Sequence, residues 1–239
     1  AVFAEFRMWF FWDLKTVERE LEIFRGLSPS NTEDFGSFIQ CFWNKEKFHE
    51  ANELCKEYFY SDVTSPFKWA LLALSYIYSG KADSSLNTIR SGLRLFPDDK
   101  FLIKHSIDIF IETGLYEEAL KLVGKLAEGD YNEDDPDYLS KACIVYYKTA
   151  NEKEANRLLQ RLLYINKNVE VSDVYVNVAQ TYVAIDDHEN ALLYLEKAYA
   201  CHEPAMIAVD YDFYWRKLHG NPRFENLVAK VERSIRSNN

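Results

Sequence analysis

The stretch Trp69-Ala-Leu-Leu-Ala-Leu-Ser-Tyr-Ile-Tyr-Ser-Gly80 carries an aromatic residue, Tyr76, that recurs along the chain at a nearly constant interval. The residues at this phase stand 34, 34, 36 and 36 positions apart: Phe42, Tyr76, Phe110, Tyr146 and Tyr182. A self-similar period of about 34 residues is typical of helix–turn–helix units that stack into a solenoid. The sequence therefore predicts an all-α solenoid built from antiparallel helix pairs.

A small residue follows each aromatic by nine positions, where the second helix of a unit would cross closest to the first. These small residues are Ala51, Ser85, Ala119, Ala155 and Ala191. One helical turn further along stand five apolar residues: Cys55, Ile89, Val123, Leu159 and Leu195. Because residues four apart share a helix face, we expect both sets to face the core. Turns are predicted at Gly80 and Gly114 between the paired helices.

The unit that contains Tyr76 resembles the tetratricopeptide repeat (TPR) family. The residues that carry the resemblance are Trp69, Leu72, Ala73, Tyr76, Gly80, Ser85 and Pro97, with Ala73 for the family's glycine and Ser85 for its alanine. The next unit adds Gly114-Leu-Tyr-Glu-Glu-Ala119, which is similar to the family's second-helix opening. The resemblance covers residues 1–203 and implies a right-handed superhelical solenoid.

The predicted organisation is a TPR-like solenoid over residues 1–203, followed by a C-terminal helical cap over residues 204–239. The predicted repeat units are 1–31, 32–65, 66–99, 100–135, 136–171 and 172–203. After Pro204 the repeat phase is lost, and apolar residues recur at helical spacing beyond Pro222. That spacing indicates an amphipathic helix, which we expect to cover the last repeat.

The N-terminal stretch Ala1–Trp12 is very apolar, whereas the ends of a solenoid normally carry a polar outer face. We expect the chain to be a fragment, or further chain to pack on this end in the parent protein. The alternative is an intact N-terminal helix buried by its own second helix. Because large apolar patches rarely stay uncovered, the aromatics of this stretch predict a homo-oligomer through the N-terminal end.

The formal net charge is −10, and residues 1–203 hold 22 Lys+Arg against 34 Asp+Glu, whereas residues 204–239 hold 6 against 4. Binding to a phosphate backbone needs a basic stripe that releases counterions, so we predict no direct nucleic-acid contact by this segment. No apolar run reaches the length of a membrane span. We predict a cytoplasmic location, or a periplasmic one if the chain is a sensor domain of the kind described below.

No constellation in the sequence points to catalysis, a cofactor or a metal: there is no phosphate-binding loop, no nucleophile elbow and no histidine pair at metal spacing. We therefore predict no enzyme activity, no cofactor and no metal site. The acidic run Glu128–Asp137 lacks the ligand spacing and glycine of a calcium loop, and we interpret it as a solvated inter-repeat loop. Cys55 and Cys143 fall on core phases and predict buried free thiols. A disulfide between Cys41 and Cys55 would need an oxidising compartment.

In the TPR family the first helices line a concave face, and the resemblance carries that role to fixed positions here. The predicted partner-binding residues are Phe67, Ala70, Leu74, Tyr78, Lys104, Asp108, Ser140, Tyr147 and Lys148. Apolar and aromatic side chains beside mixed charge suit an extended peptide or a helix in a groove. The alternative is that residues such as Leu74 only pack against neighbouring helices. A carboxylate clamp of paired Lys and Asn is not predicted, because Asp108 stands where an Asn would be needed.

The leading hypothesis is a non-catalytic protein–protein interaction module that binds a peptide or partner domain in the concave groove. Both ends of the chain also resemble the C-terminal repeat domain of bacterial signalling proteins, through Phe11-Trp-Asp-Leu14 and Asn221-Pro-Arg-Phe224. These are CadC-like winged-helix transcription activators and proteins with an adenylate-cyclase domain, and the resemblance implies a regulatory domain of a larger protein. The alternative is a structural subunit or scaffold of a multiprotein complex.

Overall fold

A computed structural model describes residues 12–27, 39, 42–43, 47–61, 63–128, 134–168 and 174–237. Within these ranges all regular structure is helical and no strand occurs, which confirms the all-α class. The apolar stretch before Trp12 lies outside the described residues, and so does Cys41. Self-association through the N-terminal end therefore stays a prediction.

The helices follow one another in chain order and are mostly 13 to 17 residues long. Their bounds are α1 Leu14–Leu27, α2 Phe48–Ser61, α3 Pro66–Tyr78, α4 Ala82–Leu95, α5 Lys100–Glu112, α6 Tyr116–Glu128, α7 Pro136–Lys148, α8 Glu152–Asn168, α9 Val174–Ala184, α10 His188–Ala200 and α11 Pro222–Ser237. Two 3₁₀-helices, η1 Pro204–Ala208 and η2 Phe213–Leu218, separate α10 from α11. From α3 to α10 the helices alternate as the first and second members of hairpins.

Each first helix from α3 to α9 ends in the same hydrogen-bonded turn, for which the aromatic phase supplies the acceptor. At 2.8 to 2.9 Å, the N–H groups of Lys81, Leu115, Asn151 and Asp187 donate to the carbonyls of Tyr76, Phe110, Tyr146 and Tyr182. The residue before each donor has a positive φ: Gly80, Gly114, Ala150 and Asp186. This is the Schellman geometry that ends many helices. Glycine adopts it freely, whereas Ala150 and Asp186 adopt it at a cost of ~1–2 kcal/mol each.

The small-residue phase lies in the first turn of each second helix. Its members are at most 3% exposed: Ala51, Ser85, Ala119, Ala155 and Ala191. The apolar set one turn later is buried as well. Where serine replaces alanine, the Ser85 hydroxyl donates to the Ala73 carbonyl at 2.7 Å, so no polar group is left unpaired. Both predicted core phases are therefore confirmed.

At the start of several helices, the first turn either contains a proline, which lacks a backbone N–H group, or donates its N–H groups to a side-chain carboxylate. Pro66 and Pro136 open α3 and α7, where the missing N–H of proline has no intrahelical partner to lose. The Asp187 side chain accepts the Asn190 N–H at the start of α10. At the start of α9, the buried carboxylate of Glu203 accepts the N–H groups of Tyr175 and Val176 at 3.0 Å each.

The described residues fall into two compact units. The first unit contains the chain up to Leu102, together with Ile207–Tyr211 and the residues from Val228 onward. The second unit contains Ile103–Met206 and Asp212–Leu227. In both units, part of the region after Pro204 belongs with repeat helices that come much earlier in the chain. This region is therefore not confined to a cover over the last repeat.

Gly92 in α4 lies at a close contact between helices, so a substitution at this position tests the packing of the first unit. A Cβ at this position would lie 3.0 Å from Trp69 Cβ and 3.3 Å from Leu102 Cδ2. We expect Gly92→Ala to lower the free energy of unfolding by about 1–3 kcal/mol through overpacking, measured by denaturant unfolding. The control is Gly124→Ala in α6, where a Cβ meets nothing within 4 Å. That variant should gain up to ~1 kcal/mol, and equal effects at the two positions would contradict the described packing.

Candidate functional site

The predicted partner-binding residues of α3 differ in exposure. They are Phe67, Ala70, Leu74 and Tyr78. Phe67 is 37% exposed, whereas Ala70 is fully buried and has no surface with which to contact a partner. Leu74 and Tyr78 are half-buried. The Tyr78 ring centroid lies 5.0 Å from that of Trp43 and 5.4 Å from that of Tyr211, so this side chain belongs to an internal aromatic cluster.

Phe67 forms an aromatic pair at the surface with Phe101, which occupies the same phase of the next first helix. The two ring centroids are 5.1 Å apart, a separation typical of favourable aromatic contacts. Phe101 is 42% exposed. Both residues belong to the first unit. We call Phe67 and Phe101 the aromatic pair.

In the second unit, Lys104 and Asp108 belong to a chain of ion pairs between α5 and α7. Lys104 Nζ lies 3.1 Å from Asp135 Oδ2 and 2.6 Å from Asp137 Oδ2. Lys141 Nζ lies 2.8 Å from Asp137 Oδ1 and 3.0 Å from Asp108 Oδ2. Asp108 and Lys141 are buried. Both lysines are engaged by carboxylates of the chain itself, so neither is poised to clamp the carboxylate of a peptide.

Ion pairing overcomes desolvation within this chain. Burial alone would raise the pKa of Asp137, but the positive charges of Lys141 and Lys104 hold that pKa well below its usual range. Burial alone would lower the pKa of Lys141, but Asp108 and Asp137 raise it. Asp137 and Lys141 are therefore both charged at neutral pH.

The solvated-loop interpretation of the acidic run is wrong for Asp135 and Asp137. The Asp135 carboxylate accepts the Asp137 N–H at 3.0 Å as the N-cap of α7, and both side chains pair with Lys104. Asp134 forms an exposed ion pair with Arg161. The acidic run itself contains no base, because Lys104 and Arg161 come from other helices and Lys141 follows one turn later on α7.

The predicted residues of α7 make internal contacts too. The buried Ser140 hydroxyl donates to the Asn177 carbonyl at 2.9 Å and accepts from the Thr181 hydroxyl at 3.0 Å, so it joins α7 to α9. Tyr147 and Lys148 are half-buried, and Lys148 Nζ lies 5.6 Å from the Tyr147 ring centroid. Desolvation, together with the nearby charge of Lys217, lowers the pKa of Lys148.

The segment Asp212–Leu218, which we call the C-terminal segment, contacts several first-helix residues of the second unit. The Tyr214 hydroxyl donates to Asp108 Oδ1 at 2.8 Å. Arg216 pairs with Glu112, and Lys217 pairs with Asp186 in the turn after α9. In the first unit, Tyr211 packs on Phe48 and Tyr78. These C-terminal contacts were not predicted from the sequence. The only signal for them was the basic balance of residues 204–239 beside an acidic body.

Other candidate sites offer less. A cleft of about 330 Å³ lies between α7 and α8, but its two arginines, Arg157 and Arg161, each hold a carboxylate in a bidentate ion pair. Over the part of the chain that is described, no three His, Cys, Asp or Glu side chains come together as a metal site.

Cys55 and Cys143 are buried free thiols, as predicted. Burial raises the pKa of each to about 12, which leaves them unreactive.

The comparisons with known proteins bear on the fold. No family model matches the chain. Over 201 residues the chain is 23% identical to anaphase-promoting complex subunit 3 of Schizosaccharomyces pombe, an alignment that covers 83% of the chain and 30% of that protein. The crystal structure of the APC/C hetero-tetramer Cut9–Hcn1 superposes with a TM-score of 0.60 at 13% identity, over 94% of this chain and 47% of that one.

A tetratricopeptide repeat protein from Parabacteroides merdae superposes with a TM-score of 0.56 at 17% identity, over 95% of this chain and 91% of that one. The fold is TPR-like. The predicted TPR-like solenoid class is thus confirmed, while the likeness to CadC-like and cyclase-type proteins stays a prediction. The chain spans less than half the length of the two proteins of the anaphase-promoting complex that it matches. Among the described helices, none is long and apolar enough to cross a bilayer.

Removal of Lys141 should be far more damaging than removal of Lys104. The Lys141 side chain is 6% exposed, whereas that of Lys104 is 23% exposed. Lys141→Met leaves two carboxylates in a desolvated site, which should cost about 3–5 kcal/mol of unfolding free energy. Lys104→Met should cost about 1 kcal/mol, because a better hydrated pair contributes less. Denaturant unfolding of both variants checks the order, and a larger loss for Lys104→Met would contradict the described burial.

Asp212 should make stability depend on pH. Desolvation, together with the charges of Asp108 and Glu112, raises its pKa to about 7. The unfolded chain releases this proton near the ordinary pKa of ~3.9, whereas the folded chain keeps it up to neutral pH. Stability should therefore fall as the pH rises towards 7 and stay level above it.

Asp212→Asn keeps the side-chain oxygen that accepts the Tyr214 N–H but cannot ionise. From pH 5 to pH 8 the unfolding free energy of this variant should rise by about 2.5 kcal/mol relative to that of the unmodified chain, measured by thermal and denaturant unfolding at both pH values. Asp83→Asn, an exposed position in α4, serves as the control. Parallel pH profiles for the unmodified chain and Asp212→Asn would contradict the assignment.

Proposed function

We propose that this chain is a non-catalytic protein–protein interaction module that serves as part of the scaffold of a multiprotein complex. The observation that carries the proposal is the aromatic pair, which stands exposed at equivalent positions of two successive first helices. Aromatic side chains dominate the energetics of protein interfaces, and a TPR-like fold presents its first helices in register.

The similarity to anaphase-promoting complex subunit 3 and to Cut9–Hcn1 supports the scaffold form of the proposal. Both proteins are named as parts of one multiprotein complex. At identities of 23% and 13% the similarity supports a shared architecture. The binding partners of those proteins are not assigned to this chain.

A second form of the proposal is the regulatory domain of a larger signalling or transcription-regulating protein, located in the cytoplasm. The observation in its favour is the closing motif Asn221-Pro222-Arg223-Phe224. In the structure this motif is built into the fold, since Arg223 pairs with Glu196 of α10 and Phe224 is fully buried. The two forms use the same binding surface and differ in what the rest of the parent protein does.

The test is affinity capture from a lysate of the source cells with quantitative mass spectrometry. The double variant Phe67→Ala/Phe101→Ala removes the aromatic pair without changing charge, and we expect it to recover at least tenfold less of a specific partner. A purified partner should then bind the double variant with at least tenfold higher Kd in calorimetry, which corresponds to ~1.4 kcal/mol.

The matched control is Tyr60→Ala/Tyr164→Ala, which removes two other aromatics that are 77% and 58% exposed. This control should capture the partner as the unmodified chain does. Equal capture by all three proteins, at equal thermal stability, would move the binding surface elsewhere. Turnover that is lost on changing a single acidic residue or histidine would overturn the non-catalytic assignment.

A further inference from the structure

The C-terminal segment meets an acidic face of the second unit through three chemically matched contacts. The Tyr214 hydroxyl donates to Asp108, Arg216 pairs with Glu112, and Lys217 pairs with Asp186. The three acceptors are carboxylates of α5 and of the turn after α9. The segment therefore supplies one hydroxyl donor and two cations to three anionic positions.

Two of the receiving positions, Asp108 and Glu112, lie on the first helix α5, and the third, Asp186, lies in the turn that follows the first helix α9. Asp108 and Glu112 are four residues apart on α5, so they share one face of that helix. Desolvation raises the pKa of Glu112, although Arg216 opposes the shift. A carboxylate held in such a place gains from a cationic neighbour, so the acidic face selects basic ligands.

The C-terminal segment resembles a short bound peptide more than a repeat helix in its backbone geometry and exposure. Its six helical residues form a 3₁₀-helix, a geometry with weaker hydrogen bonds than an α-helix. Residues with positive φ stand on either side, His202 before η1 and Gly220 after η2. The cations Arg216 and Lys217 are 59% and 49% exposed, while Trp215 and Leu218 are buried and anchor the segment.

We propose that the face formed by Asp108, Glu112 and Asp186 is a recognition surface for a tyrosine-containing basic peptide, and that the C-terminal segment is its built-in occupant, which a partner peptide displaces. The chemistry of the occupant defines that of the partner: an aromatic hydroxyl followed within three residues by two cations. The proposal rests on the proposed protein-binding function, but it concerns a surface of the second unit that does not include the aromatic pair.

The test uses a fluorescein-labelled synthetic peptide with the sequence of residues 210–219 and the full chain. In the variant Arg216→Glu/Lys217→Glu the resident segment is repelled by Glu112 and Asp186, while its buried anchors are unchanged. We expect hydrogen–deuterium exchange over residues 207–219 to become at least tenfold faster. We also expect the labelled peptide to bind this variant at least tenfold more tightly than the unmodified chain, measured by fluorescence anisotropy at low salt.

The control variant Lys230→Glu/Arg233→Glu makes the same change in net charge on exposed positions of α11. It should leave both exchange and peptide affinity unchanged. A labelled peptide with Tyr214→Phe should bind the released variant several-fold more weakly, and a peptide with both cations reversed should not bind. These two peptides distinguish the three contacts from general attraction to an acidic protein.

Trp215→Ala provides a second way to release the segment, by removal of its largest anchor, with circular dichroism to confirm that the repeats stay helical. Two results would overturn the proposal: unchanged exchange in both released variants, or a released segment with no gain in peptide affinity. The peptide assay contains no other protein, so its result is independent of the capture experiment. The acidic surface can fail to bind the peptide while the aromatic pair still captures a partner, and the aromatic pair can fail while the acidic surface binds.

Discussion

Where each second helix begins, a residue no larger than serine lies against the first helix, and the five residues of this phase are almost fully buried. A side chain of one or two heavy atoms lets the helix backbones approach, and the aromatic residue nine positions earlier supplies the carbonyl that closes the turn. Interiors packed at crystal density leave no room for a larger group. The remaining features follow from this contact: the helix pairs, their register, and the face on which each first helix presents its side chains.

The periodic part of the structure could be predicted because its causes are local. The turns at Gly80 and Gly114 need a left-handed backbone conformation, which favours glycine. The positions of Ile89 and Val123 are buried, which favours apolar residues. Neither preference depends on the sequence of the neighbouring repeats. Ala150 and Asp186 show the limit of that reasoning. Both adopt the left-handed conformation without being glycine, because the flanking helices and the turn hydrogen bonds fix the backbone and offset a cost of ~1–2 kcal/mol per residue.

The candidate site was predictable only in part, because its contacts join residues that are far apart in sequence. Phe67 was predicted to face a partner and is exposed, but Phe101, its neighbour at the next repeat, was not chosen. Asp108 was assigned to a groove, yet it is buried against Lys141 and accepts from Tyr214, which is 106 residues away. Helical periodicity carries no information about such a pairing, since the C-terminal segment lies outside the repeat. The opposite charge balances of residues 1–203 and 204–239 are consistent with these contacts, but they do not identify the residues that pair.

The chain of ion pairs explains why so many polar residues can lie inside a solenoid. Desolvation makes an isolated buried charge costly, but Lys141 is shared between Asp108 and Asp137, and Asp137 is shared with Lys104. Tyr214 completes the coordination of Asp108 without adding charge. Removal of any member would leave a charge with too few partners, so the network favours one arrangement of α5, α7 and the C-terminal segment over alternatives. An apolar core could be as stable, but it would not favour the hydroxyl of Tyr214 over an apolar side chain, whereas the Asp108 carboxylate does.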